Sequence, residues 1–133
     1  MAVKAEVITE LNLFLTRASG SLSDQDLVAY QESIASMPGF SSELNTLLDG
    51  REVTENLLSQ ESLIRYSTKT PFASSVRRAY VVRDEKAAMY ATLFGATSSD
   101  SDKYFVTYSI DDACEWLGIE FNSIKNSIVY QDE

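Results

Sequence analysis

The stretch from Val76 to Gly118 constrains this chain more than any other. It follows Ser75 and reads VRRAYVVRDEKAAMYATLFGA, then a polar break, then KYFVTYSIDDACEWLG. Two short runs rich in β-branched and aromatic residues are each followed at once by a segment of helical period. Strands that alternate with helices in this way form crossover units, and crossover units build an α/β sheet.

The same reading extends through the rest of the chain. Val3, Ala5 and Val7 alternate with Lys4 and Glu6, the pattern of a half-buried strand. Leu11 to Leu15 is almost continuously apolar and reads as a more central strand, paired with the first through a turn near Thr9–Asn12. Ser23, with Asp26 three residues later, opens a helix whose stripe is Leu27, Tyr30, Ile34 and Met37, and Pro38-Gly39 stops it. Leu44 to Leu48 is a third strand, ending at Asp49-Gly50. Ser59 or Thr54 caps a second helix that carries Leu58, Leu63 and Tyr66 and closes at Pro71. Val76–Val82 is a fourth strand. A helix from Asp84 places Ala87, Tyr90 and Phe94 on one face and ends at Gly95. Gly95 to Asp102 is a solvated loop and Tyr104–Tyr108 a fifth strand. Ser109, with Asp112 three residues on, caps the last helix.

The fold class that follows is α/β, with a single mixed, mostly parallel five-stranded sheet, about four helices and the first strand antiparallel at an edge. The expected core is Leu13, Leu15, Leu27, Ile34, Leu47, Ala79, Val81, Phe94, Phe105, Ala113 and Leu117. One domain spans residues 1–133, with 119–133 a C-terminal extension in which Ile128 and Tyr130 form a short edge strand or simply dock.

Composition removes several classes of chemistry. The chain has 133 residues, 44% hydrophobic and 23% charged, an ordinary globular balance. Its formal net charge of −9 disfavours nucleic acid and anionic membrane surfaces. There is no histidine, so the commonest general base and metal ligand are missing. The one cysteine, Cys114, forms no intrachain disulfide and has no histidine to activate it. Lys4, Glu6 and Glu10 interrupt the start where a signal peptide needs an apolar run. No segment approaches the roughly 20 apolar residues of a membrane span. A cytoplasmic protein without stable membrane insertion is expected.

From Ser23 to Gly118 the chain resembles small bacterial domains of the STAS type, the anti-sigma-factor-antagonist-like fold, grouped with CRAL-TRIO lipid-binding domains. The likeness lies in the helix opening LSDQDL, the break Pro38-Gly39-Phe40 and the strand LNTLLDGREVT, which is similar to that family's Leu-x-Asp-x-Arg-x-Val. It continues through SVRRAYVVRDEKAAMYATLF and the closing SIDDACEWLG helix. These motifs are mainly structural, so they imply a fold and a regulatory or ligand-binding role, without an enzyme activity. In some of these proteins a serine at the start of the helix after the Asp-ended strand is phosphorylated. Ser59 is the nearest residue here, preceded by Leu58 where the family has an Asp-Ser pair.

Three sets of residues are candidates for function. Arg77, Arg78 and Arg83 stand in a locally basic stretch and suit an anion or an acidic partner. Adjacent strand residues point to opposite faces, so Arg77 and Arg78 share a patch only at a strand end. Asp49 ends a strand, where open α/β sheets place functional groups, although an aspartate there also serves a turn. Ser59 is the candidate switch, although a helix cap is the favoured reading of a serine there. Asp111 and Asp112 fit a helix's first turn. Nothing suggests a metal or another cofactor.

Two functions follow as expectations. The first is a non-catalytic regulatory module that docks a protein partner or associates with itself, as in a homodimer. The alternative is a small carrier of an apolar or lipid-like ligand. The chain is short for enclosing a long acyl chain, which ranks the carrier second. A deep apolar cavity is the feature that would favour it.

Overall fold

Strand order follows chain order. In the computed structural model, which describes residues 2–96 and 101–131, five strands lie side by side as β1 (Ala2–Ile8), β2 (Leu13–Leu22), β3 (Asn45–Asn56), β4 (Arg78–Val82) and β5 (Tyr104–Thr107). β1 and β2 are antiparallel, and every later pair is parallel. The mixed sheet with an antiparallel edge strand is the one expected.

Helices α1 (Asp24–Ile34), α2 (Gln60–Ser67) and α3 (Glu85–Ala96) connect successive parallel strands. Right-handed crossovers that step in one direction put their helices on one face of the sheet. The last helix, α4 (Ile110–Leu117), has no following strand and packs on the opposite face against β3, β4 and β5.

Alternation along the strands divides the core in two. Leu13, Leu15, Leu47, Ala79 and Val81 face α4, where Ala113, Cys114 and Leu117 meet them. Residues 119–131 close this side through two 3-10 turns, Phe121–Ser123 and Ile128–Tyr130. They dock rather than pair as a strand, and Ile124 and Val129 are completely buried. On the other face Phe14 packs with Ile34 and Leu44, and Phe72 sets its ring edge-on to Phe14 and Phe40, 5.6 Å from each.

Several boundaries differ from the sequence reading for local reasons. Asn12 takes the left-handed conformation that ends the first turn, so β2 starts at Leu13. β2 and β3 run past their apolar segments as a polar two-stranded ribbon, Ser19 beside Glu52 and Ser21 beside Glu55. Asp49-Gly50 therefore lies inside a strand, not at its end. α1 stops at Ile34, ahead of Pro38, where the Ser33 and Ser36 hydroxyls donate to the carbonyls of Tyr30 and Ser33 at 2.8 Å. The Arg77 N–H donates to the Asn45 side chain at 2.9 Å, and β4 begins one residue later.

Gly95 is a helix residue rather than a stop. A β-carbon there would sit 3.0 Å from the Tyr104 ring, so glycine permits the close approach of α3 to β5. Of the loop expected over 95–102, residues 97–100 lie outside the described residues, and Ser101–Lys103 is a 3-10 turn. Of the two capping-box patterns, the one at Ser23 forms in full and the one at Ser109 only in its first half, because the Ser109 N–H donates to Thr107 Oγ1 instead. Ser23 and Asp26 form a full capping box, and Ser109 accepts the Asp112 N–H at 3.2 Å.

Candidate functional site

The face covered by α1, α2 and α3 is incompletely filled. A cavity of about 160 Å³ lies between these helices and the sheet. Its floor is the side of the sheet that carries Thr16 and Ala18 from β2, Thr46 from β3, and Arg78, Tyr80 and Val82 from β4. Leu27, Tyr30, Gln31 and Ile34 of α1 line it from above, with Leu63 of α2 and Tyr90, Ala91 and Phe94 of α3. Leu27 and Phe94, expected in the core, are only half-buried because they border this space. Phe105, the third such residue, lies on an edge strand and stacks on Trp116 at 5.2 Å.

The polar groups of the cavity are few and held in place. The Tyr30 hydroxyl and Thr16 Oγ1 are 2.8 Å apart. Burial pushes the Tyr30 phenol up to about 12 against the opposing effect of that bond, so it stays neutral. Burial, then the neighbouring Tyr104, raises Tyr80 well above its usual 10. Tyr80, Phe94 and Tyr104 form an aromatic wall with centroids 5.8–6.4 Å apart. Arg78 is 2% exposed, its guanidinium 4.8 Å above the Tyr104 ring and donating to the Ala73 carbonyl at 2.6 Å. An arginine thus stands in a mostly apolar lining, held by a ring face and a backbone oxygen.

The three arginines do not share a surface. Arg77 turns to the α4 side, 5.3 Å over Trp116, and donates to that residue's carbonyl at 2.6 Å. Arg78 points the other way into the cavity wall, and Arg83 is exposed beyond the end of β4. The sheet pleat that separates neighbouring side chains is the reason.

Asp49 is 3% exposed and lies under the C-terminal segment, on the sheet face opposite the cavity. Arg51, two residues on and on the same side, grips it with Nε to Oδ1 at 2.9 Å and Nη2 to Oδ2 at 2.7 Å. The Arg51 N–H and the Tyr130 hydroxyl add bonds of 3.2 and 2.8 Å. Burial alone would raise this carboxyl. The bonds from Arg51 and Tyr130 outweigh it and hold the group below its ordinary 3.8. Asp49 therefore anchors the C-terminal segment as a satisfied carboxylate. Arg17 assists by pairing with Glu52, donating to the Val129 carbonyl and lying 5.8 Å from the Tyr130 ring centroid.

Ser59 caps α2, with Oγ accepting the Ser62 N–H at 3.1 Å. Its own N–H donates to Asp24 at 2.9 Å, which with the Ser59 hydroxyl keeps that carboxyl low. A phosphate on Ser59 would meet this carboxylate, a repulsive neighbour. Cys114 is 2% exposed, and burial, followed by Asp111 and Asp49, pushes its thiol up to about 11. Among the described residues no three His, Cys, Asp or Glu side chains come together as a metal site. Among them, too, no helix is long and apolar enough to cross a membrane.

Sequence reasoning missed Thr16, Tyr30 and Gln31 as polar cavity groups. Thr16 lies one residue past the apolar run Leu11–Leu15. The alternation Phe14, Thr16, Ala18 was the available signal.

The architecture matches a solved structure. An uncharacterised protein of the DUF3478 family with a SpoIIAA-like fold, from Shewanella loihica PV-4, superposes with a TM-score of 0.53 at 17% identity. The match covers 87% of this chain and 92% of that one. No family model and no curated protein matches the sequence. The chain thus has the STAS-like, SpoIIAA-like fold that its motifs resemble.

Proposed function

We propose that this chain is a non-catalytic binding module whose cavity takes one small apolar molecule. The observation that carries this reading is the space of about 160 Å³ between α1–α3 and the sheet, lined mainly by apolar and aromatic side chains. Dry cavities of about 150 Å³ accept a molecule the size of benzene. A long acyl chain needs more room than this one gives. The absence of catalysis is part of the proposal. It is supported by the missing histidine, the unreactive Cys114 and the satisfied charge of Asp49.

A regulatory role through self-association is the second reading. It draws on Ile64 of α2 and Met89 of α3, exposed apolar residues (49% and 64%) on two helices that pack together. Native mass spectrometry separates the readings, with a bound small molecule favouring the first and a ligand-free dimer the second. The direct test is toluene added during thermal unfolding. Saturation to 100 times Kd should stabilise the protein by about 2.7 kcal/mol. Ala91→Phe, which fills the cavity, should abolish the effect. No stabilisation of the unmodified protein by toluene or benzene would overturn the proposal.

A further inference from the structure

The two edges of the sheet are guarded differently. On β1, Lys4 and Glu6 alternate with apolar residues, and the C-terminal segment holds both, through the Gln131 carbonyl and the Ser127 hydroxyl. β5 forms the other edge, and among the described residues no strand pairs with its outer side. Sheet edges are usually blunted by charge, proline or a bulge. The run Tyr104–Tyr108 has no charge and no proline, in a chain of net charge −9, and its register with β4 is unbroken. Shortness is its one protection, since β5 has four residues. A stack of side chains also ends here. Arg77 lies over Trp116, and Trp116 stacks on Phe105 with the rings 18° from parallel. Phe105 is half-buried on the last strand. The two ends of β5 differ in charge. Arg77 stands beside Lys103 at its start, with one acid, Asp102, while the exposed Asp111 and Asp112 follow its end.

We infer that the outer edge of β5 pairs with β5 of a second copy of this chain, antiparallel about a two-fold axis at Phe105, so that two sheets become one. Residues directly opposite in an antiparallel pair share a face, so at an axis perpendicular to the sheet a residue meets its own copy. At Phe105 this joins the two side-chain stacks through an aromatic cross-strand pair. The antiparallel direction brings the basic start of each strand to the acidic end of the other, whereas a parallel partner would set like ends together. A chain of this net charge repels its copy over most of its surface. An uncharged strand with opposite charges at its two ends is where a copy can approach. This surface is separate from the cavity and from Ile64 and Met89, and the inference does not rest on the cavity reading.

Sedimentation equilibrium of the full chain is the test. Wild type should be a dimer in reversible exchange with monomer. Phe105→Lys sets like charges opposite each other at the axis and should weaken the dimer about a hundredfold. Lys103→Glu, at the surface, should weaken it about tenfold, because the symmetry removes two charge pairs at once. A wild type that stays monomeric at millimolar concentration overturns the inference. So does a dimer that both variants leave unchanged within twofold, a result that assigns self-association to another face, such as Ile64 and Met89. If Phe105→Lys does not fold, Lys103→Glu and hydrogen exchange of the wild type decide. The β5 amides that β4 does not bond should exchange more slowly in the dimer than in the monomer, and equal rates refute the assignment. Toluene binding is read separately, so either reading can fail while the other stands.

Discussion

Tyr130→Phe removes one oxygen atom and tests whether the C-terminal segment is held through Asp49. The lost bond runs from a phenol to a buried carboxylate at 2.8 Å. Bonds to charged groups contribute about 1.5–3 kcal/mol. Asp49 keeps three hydrogen bonds from Arg51 after the change, so the low end applies, about 1.5–2 kcal/mol at pH 7. At about 2.1 cal/mol/K per residue, unfolding 133 residues carries about 0.28 kcal/mol/K, and Tm should fall by roughly 5–7 °C. The sign with pH is fixed as well. A carboxyl held below its ordinary 3.8 contributes stability above that value and loses it as pH falls through the lower folded pKa. Because the tyrosine helps to hold it low, the gap between wild type and variant should narrow at pH 3. Urea unfolding at pH 7 and pH 3 measures both quantities. A difference below about 0.5 kcal/mol at pH 7, the size of an ordinary surface change, would refute the reasoning. So would an equal difference at the two pH values.

Three further outcomes follow from the packing. Leu47→Ala, at a fully buried position of β3 beneath α4, should cost about 3–5 kcal/mol in denaturant unfolding. Gly118 has φ +76° and nothing within 4 Å of where a β-carbon would sit, so Gly118→Ala should cost about 1 kcal/mol through backbone strain alone, read from the same unfolding curves. Cys114 should react with iodoacetamide at pH 8 only as fast as the protein opens, and a fast reaction in native buffer would contradict its burial and its thiol pushed up to about 11.

Element order and sheet direction were legible because each strand–helix unit announces itself locally, through a β-branched run, a capping serine and an apolar stripe. Ser23, Ser59 and Ser109 all cap the helices they precede. Strand lengths were less legible. The polar extension of β2 and β3 is held by the neighbouring strand, and its own residues carry no apolar alternation. The candidate site was scarcely legible. The Asp49–Arg51 pair was hidden because the strand read as ending at Asp49-Gly50, and their third partner, Tyr130, comes from a tail without a period. The cavity is a mismatch between three helices and a sheet, and no single segment encodes a mismatch. Thr16, Gln31 and Arg78 come from three separate elements, and only the assembled face brings them together.

Agreement between strand order and chain order bears on how the molecule assembles. Each strand can dock on the one made just before it, so the sheet can grow as the chain emerges, without waiting for a distant partner. The two faces then mature at different times. The α1–α3 face has its helices as soon as β5 is in place. The α4 face stays open over Leu13 and Leu15 until Ile124 and Val129 arrive. Those late residues are tied back to the earliest ones, Ser127 to Glu6 and the Gln131 carbonyl to Lys4. Vectorial growth of the sheet thus ends in a clasp between the two ends of the described chain. A nascent chain stopped before residue 124 would show an apolar sheet face to any chaperone nearby.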